Sequence, residues 1–212
     1  MTITMYQASV PRLANLLENL ARILDKAQAH VDAGHIDMAS LMNDRLIADM
    51  YPFAKQVQIA CDKARSVVAR LADMEVPAYK DDETTLAQLQ LRIARTVEFI
   101  RSVPPELIDG TEDKIVELPV TRVLTRYTGM QLLLGHSMPN VYFHVTTAYN
   151  ILRHNGVELG KWDFLGKAPG ANIKAGKPAK KPAKKRAPRK ASVHVGPDLS
   201  GQCPAEAGPT GT

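Results

Sequence analysis

Residues 139–166 read PNVYFHVTTAYNILRHNGVELGKWDFLG, a long apolar helix that breaks into a compact polar and aromatic turn. The helix extends back to Thr128, which with Gln131 has the spacing of a capping box. It ends near His154, where Gly156 follows as a stop signal. Because apolar residues occupy almost every side of this helix, we expect it to be buried in a bundle of helices.

Pro139 lies within this helix and predicts a kink. A proline there removes one backbone hydrogen bond and crowds the carbonyl of Gly135, four residues earlier. At about 100° per residue, one arc of the helix then carries four polar side chains: His136, Asn140, His144 and Thr147. Since buried imidazoles and carboxamides need hydrogen-bond partners, the arc predicts either a site or a polar cluster between helices.

A first amphipathic helix opens the chain. Apolar residues from Leu13 to Val31 follow helical spacing and predict one buried face. Ser9 is the predicted cap, Pro11 suits the first turn, and Gly34 ends the run.

Two more helices occupy the middle of the chain. The second is predicted to open at Tyr51, to carry an apolar stripe over residues 53–71, and to end before Pro77. The third follows a capping box formed by Thr85 and Gln88 and stops at a pair of prolines, residues 104 and 105. Each has a single apolar face, as expected for members of a bundle.

Two short β-prone runs lie between the third and fourth helices. Residues 115–118 and 123–127 flank a turn at 119–122, which predicts a small hairpin. Together the elements predict an all-α fold, a four-helix bundle with a small β-hairpin before its last helix.

Polar residues of the second helix offer complements to the polar arc. Asp49 and Gln56 are seven residues apart, so we expect them on one flank of the apolar stripe. Asp62 and Lys63 fall off the stripe and are predicted to be solvated. Cys61 falls on the stripe, where a thiol is usually buried and inert.

The charge divides the chain into two parts. Residues 1–166 carry a formal charge of −3, whereas residues 167–212 carry ten Lys and Arg against two Asp and Glu, or +8. The second part contains the run KPAKKPAKKRAPRK and no aromatic residue, so it is predicted to be a disordered basic tail. Such a tail would bind nucleic acid without reading its sequence, by neutralising phosphates. Membrane binding is not expected, because the tail has no apolar segment next to its charges that would insert into lipid.

The composition also narrows the class of protein. Cys61 and Cys203 form neither a disulfide framework nor a CxxC pair, and the first residues lack the pattern of a secretory signal. These observations predict a cytoplasmic protein. Phosphate-loop, dinucleotide and nucleophile-elbow motifs are absent from the sequence, so whether it is an enzyme stays open.

Three blocks of sequence carry a family resemblance. MYQASVPRLANLLENL, ADMYPFAKQVQIACDKA and the stretch at 139–166 resemble the bacterial family named domain of unknown function 1993, over residues 3–166. That family is similar in turn to the DinB-like four-helix bundles. Members of this wider group typically bind a divalent metal through a histidine of the second helix and an HxxxH pair on the fourth, and some transfer thiols or hydrolyse amides. The resemblance therefore implies the fold and raises the question of a metal.

The implied metal site is incomplete in this chain. The HxxxH pair falls on His136 and Asn140 or on Asn140 and His144, so one histidine is replaced in either alignment. The second helix has no histidine, although Asp49 could supply a carboxylate oxygen. If a divalent metal binds, its expected ligands are His144, His136 and Asp49, although asparagine is a weak ligand for zinc.

Two hypotheses about function follow. The first is a small molecule bound in the cleft between the second and fourth helices, with or without a metal. Its predicted contacts are Asp49, Gln56, Asn140, His144 and Thr147. The second is a noncatalytic interaction protein that dimerises or docks a partner while its tail tethers it to nucleic acid. A simpler alternative for the arc is a polar cluster that only fixes the register of the two helices.

Overall fold

The computed structural model describes residues 2–120 and 123–166, and it confirms a mostly helical bundle with one small hairpin. The four predicted helices are α1 (Met5–Asp32), α3 (Phe53–Leu71), α4 (Leu86–Ser102) and α5 (Met138–His154). Two short helices were not predicted, α2 (Met38–Asn43) and α6 (Lys161–Leu165). The predicted second and fourth helices, between which the cleft was expected, are therefore α3 and α5.

The start of α1 differs from the prediction. Thr4 is the cap, because its side chain accepts from the backbone of Gln7 while the Gln7 side chain accepts from the Thr4 backbone. Ser9, the predicted cap, is buried inside the helix and donates to the carbonyl of Met5 at 2.7 Å. Pro11 lies in the helix interior instead of the first turn. The helix begins at the Thr4 capping box instead of at Ser9 because the box satisfies two backbone groups reciprocally.

The loop before α3 removes one predicted site residue from the helix. Because α3 begins at Phe53, Asp49 lies in a solvent-exposed turn and does not share a helical flank with Gln56. The prediction that these two residues lie on one helix is wrong. Pro52 ends the turn and sets the start of α3, since a proline disfavours helical backbone in the residue before it.

The elements that lead to α5 follow the sequence closely. Thr85 and Gln88 form the predicted capping box at the start of α4. The hairpin pairs β1 (Ile115–Val120) with β2 (Val123–Thr128) antiparallel, so both strands are slightly longer than predicted. Thr128 and Gln131 then exchange capping hydrogen bonds of 3.0 and 3.2 Å, as expected.

The irregularity around Pro139 is a wide turn. Residues Gln131–Ser137 form a π-helical segment, in which the Met138 amide donates to the carbonyl of Leu133 five residues earlier. A π turn widens the helix just before the proline ring, where an ordinary turn would crowd the ring against a carbonyl. The predicted distortion is therefore present, but it lies one turn before Pro139.

The core runs between the four long helices. Its largest fully buried side chain is Phe53, at the start of α3. Cys61 of α3 is also fully buried, and burial raises the pKa of its thiol to about 12, as expected for an inert cysteine. No helix in the described part of the chain is long and apolar enough to span a membrane. Cys203 and the predicted disordered tail lie outside the described residues.

Candidate functional site

Gln56 and His144 join α3 to α5. The Nδ1 atom of His144 lies 2.7 Å from the Oε1 atom of Gln56, and both side chains are buried. Gln56 also donates from Nε2 to the carbonyl of Tyr51 at 2.9 Å. That second bond orients the amide, because a carbonyl accepts only from the nitrogen end of the carboxamide. Two predicted site residues are thus brought together.

This chain of bonds decides which nitrogen of His144 carries the proton. Since Gln56 presents its oxygen, Nδ1 of His144 must donate, and the proton of the neutral ring lies on Nδ1. Burial first, and then the ammonium of Lys63, hold the pKa of His144 below its ordinary value. At pH 7 the ring is therefore neutral and Nε2 keeps its lone pair. That nitrogen has no hydrogen-bond partner among the described residues.

His144 lines a cavity of about 590 Å³ on the α3 side of the cleft, which we call the His144 cavity. Its other walls include Tyr51, Lys63, Arg65 and Ser66. Lys63 and Ser66 are only partly buried. Lys63, which the sequence predicted to be solvated, also lies close enough to the two histidines of the cleft for its charge to lower their pKa values.

Arg65 contributes a buried guanidinium to this cavity. Its side chain is 5% exposed, donates to Asp62 at 2.9 Å and stacks on the ring of Tyr79 at 3.8 Å. Two of its nitrogens, Nε and Nη1, are buried without a hydrogen-bond partner in the described part of the chain. Buried N–H donors of this kind are costly unless something accepts from them.

A second buried arginine holds the loop that carries Tyr79. Arg92 of α4 donates to Glu83 at 2.9 Å, to the carbonyl of Lys80 at 2.9 Å and to Asp62 at 2.7 Å. It also pairs with Asp81 at 2.9 Å. Burial opposes the charge, but the hydrogen bonds that Arg92 donates to Glu83 and Asp62 raise its pKa. Asp62, which the sequence predicted to be solvated, therefore links two arginines.

Three of the four polar side chains of the arc are divided between two cavities. His136 and Asn140 line a neighbouring cavity of about 370 Å³, together with Arg70 of α3, and we call it the Arg70 cavity. The ring of His136 packs against Tyr127 of the hairpin at 5.4 Å between centroids. Burial, followed by Lys63, lowers the pKa of His136, so this ring is also neutral at pH 7.

Other predicted contacts are satisfied within the predicted fourth helix or lie elsewhere. Asn140 donates from Nδ2 to the carbonyl of His136 at 2.6 Å, and Thr147 donates to the carbonyl of Phe143 at 2.8 Å. Asn140 still lines the Arg70 cavity, but Thr147 is buried away from both cavities. Asp49 lines neither cavity.

The donor set does not fit a divalent metal. His136 and His144 are eight residues apart, a rise of about 12 Å along a helix, whereas zinc lies about 2 Å from each ligating nitrogen. The cation of Lys63 next to both rings disfavours a second positive charge. Within residues 2–120 and 123–166, no group of three His, Cys, Asp or Glu side chains is arranged so that it could hold a metal ion.

Sequence reasoning missed a polar face of α3 that carries two cations. Lys63, Ser66 and Arg70 recur at spacings of three and four, so they share one face of α3. This periodicity is visible in the sequence. It was missed because a polar flank of an amphipathic helix is usually solvated, and only the fold shows that this flank faces α5.

Comparison with known proteins places the chain in a family. A sequence profile described as Domain of unknown function (DUF1993) matches residues 5–165. The chain belongs to the DUF1993 family. This DUF1993 protein is also similar to a solved structure, a DinB family member protein from Shewanella denitrificans, at 41% identity with a TM-score of 0.72. The match covers 77% of this chain and 93% of that one, and no curated protein matches. The resemblance to DUF1993 and to the DinB-like bundles is confirmed.

Proposed function

We propose that this DUF1993 protein binds a small molecule in the cleft between α3 and α5, with His144 as a hydrogen-bond or proton acceptor. The observation that carries the proposal is the chain from the Tyr51 carbonyl through Gln56 to His144. It holds a neutral imidazole in one tautomer and leaves Nε2 without a partner among the described residues. Fixing a histidine through its other nitrogen is how proteins prepare this side chain to accept a proton or bind a ligand.

The surrounding charges support the same proposal. Arg65 lines the His144 cavity, and two of its buried N–H donors donate to none of the described residues. The positive charge of this guanidinium would attract a ligand with negatively charged oxygens into the cavity. Gln56, His144 and Asn140 are therefore proposed as site residues. Gln56 lines neither cavity but bonds to His144, which does. Asp49 and Thr147 are not proposed, because among the described residues neither lines a cavity of the cleft nor bonds to a side chain that lines one. No step of the proposal uses a metal.

Replacing His144 by alanine should destabilise the protein and remove ligand binding together. The change leaves the Oε1 atom of Gln56 buried without a donor, which costs about 1–3 kcal/mol. Chemical denaturation of the full chain measures this loss. The matched control is His154→Ala, an exposed histidine of the same helix, which should change stability by less than about 0.5 kcal/mol.

The binding half of this prediction uses a panel of small metabolites and the melting temperature of the full chain. A true ligand stabilises the folded state by about 2.7 kcal/mol at a hundred times its Kd. We expect at least one compound to raise the melting temperature of the parent and of His154→Ala, but not of His144→Ala. Compounds that stabilise all three proteins equally would place the binding site elsewhere, and equal stabilities of His144→Ala and the parent would contradict the buried bond.

A second proposal concerns residues 167–212, which lie outside the described part of the chain. We propose that their charge of +8 attaches the protein to nucleic acid or another polyanion. The supporting observation is the contrast with the charge of −3 on residues 1–166. The homodimer and the cytoplasmic location predicted from the sequence stay predictions.

A further inference from the structure

The Arg70 cavity differs from its neighbour in its charge. It lies between α3, the hairpin and the start of α5, and its polar walls are Lys63, Ser66, Arg70, His136, Ser137 and Asn140. Two of these side chains are cations, and none of the described residues that line the cavity is a carboxylate. The His144 cavity, in contrast, includes Asp62. The Arg70 cavity is therefore a local concentration of positive charge in a protein body of net charge −3.

The two cations have few partners of their own. Lys63 forms no hydrogen bond or ion pair with any residue in the described ranges, and Arg70 uses only Nε, which donates to the hydroxyl of Ser66 at 3.1 Å. The remaining guanidinium donors of Arg70 are thus available. Two like charges on one face of a helix repel each other, and an anion between them would offset that cost.

Neutral groups complete the wall. Ser137 is buried on the π-helical segment, and its hydroxyl has no hydrogen bond to another described residue. Asn140 uses one amide hydrogen on the carbonyl of His136, which leaves the other free to donate. His136 is neutral at pH 7 and can donate as well. Cationic and neutral donors around one cavity suit an oxyanion with several acceptor oxygens.

We propose that the Arg70 cavity binds a phosphate-type dianion, and that this is the anionic group of the small molecule whose remainder reaches His144. The link to His144 rests on the proposed function, whereas phosphate binding in the Arg70 cavity does not. Lys63 and Ser66 line both cavities, so the two cavities adjoin each other along α3. Two cations favour a dianion over a monoanionic carboxylate, and arginine matches the geometry of phosphate oxygens.

The test is a titration of the full chain with inorganic phosphate at constant ionic strength, followed through the ring protons of His136 by NMR. This signal is assigned by its loss in His136→Gln, and it reports the cavity whatever the basic tail binds. We expect saturable shifts and a rise in the pKa of His136, because a bound dianion offsets the effect of Lys63. Acetate should bind with a Kd at least ten times that of phosphate, measured from the same signal.

Variants assign the binding to the two cations. Lys63→Met and Arg70→Met should each raise the Kd for phosphate at least tenfold, whereas Lys63→Arg should keep it within about threefold of the parent. The matched control Arg95→Met changes an exposed arginine of α4 and should leave the Kd unchanged. The proposal is overturned if phosphate gives no saturable shift, if acetate binds as tightly, or if both methionine variants bind like the parent. None of these results would affect ligand binding at His144, which the metabolite panel tests separately.

Discussion

Replacing Arg92 by methionine should be among the most destabilising single changes to the bundle. The side chain is 2% exposed and pairs with Asp62, Asp81 and Glu83. Removing one partner of a buried ion pair costs about 3–5 kcal/mol, because the others keep their charge without compensation. Asp62 and Asp81 are over a third exposed, so water screens part of this loss. We therefore expect a loss of about 3 kcal/mol and a melting temperature lower by roughly 6–12 °C.

The control for this experiment lies one turn along the same helix. Arg95 is exposed, so Arg95→Met removes the same charge and should change the free energy of unfolding by less than about 0.5 kcal/mol. Thermal and urea denaturation of the full chain measure both variants. If Arg92→Met and Arg95→Met were equally stable, the cluster around Arg92 would be an ordinary surface network.

The second large effect concerns salt and the basic tail. If residues 167–212 bind duplex DNA through counterion release, the affinity of the full chain should fall roughly 60- to 4,000-fold between 50 and 200 mM salt. This range corresponds to a slope of about −3 to −6 in log K against log salt, since ten cations need not all touch phosphate. Binding should be indifferent to the sequence of the duplex.

The comparison is with a chain that ends at Gly166. This shorter chain should bind no duplex at 50 mM salt, yet keep its helical circular dichroism and its melting temperature within about 2 °C, because the apolar stripes all end by Leu165. Equal affinities of the two chains, or no binding by the full chain, would contradict the proposal that the tail attaches the protein to nucleic acid. A large fall in melting temperature would show that the tail packs on the bundle.

Much of the fold follows from local signals in the sequence. Thr85 with Gln88 and Thr128 with Gln131 are capping boxes in the structure as predicted, because each satisfies backbone groups within four residues. Ser9 failed as a cap because Thr4 offered the same chemistry earlier in the chain. The π-helical turn could not be located from the sequence. A proline predicts that its ring will crowd the preceding turn, but not whether the helix kinks or widens in response.

The candidate site was predictable only in part. Gln56 and His144 were proposed as partners from their residue types and helical positions, and they bond at 2.7 Å. Asp49 was misplaced because the start of α3 depends on the exposed turn before it. Lys63 was missed because charge on a helix flank is ordinarily solvated. Which flank faces another helix is a property of the packing, and no local pattern contains it.

The protonation state of His144 tests the central claim most directly. A long-range ¹H–¹⁵N NMR spectrum of the full chain, with His144 assigned by its absence in His144→Ala, distinguishes the two neutral tautomers from the charged ring. The hydrogen bond to Gln56 predicts a proton on Nδ1 alone at pH 7, and a ring that becomes charged only below its ordinary pKa of about 6.5. A proton on Nε2 alone, or a charged ring at pH 7, would contradict the account.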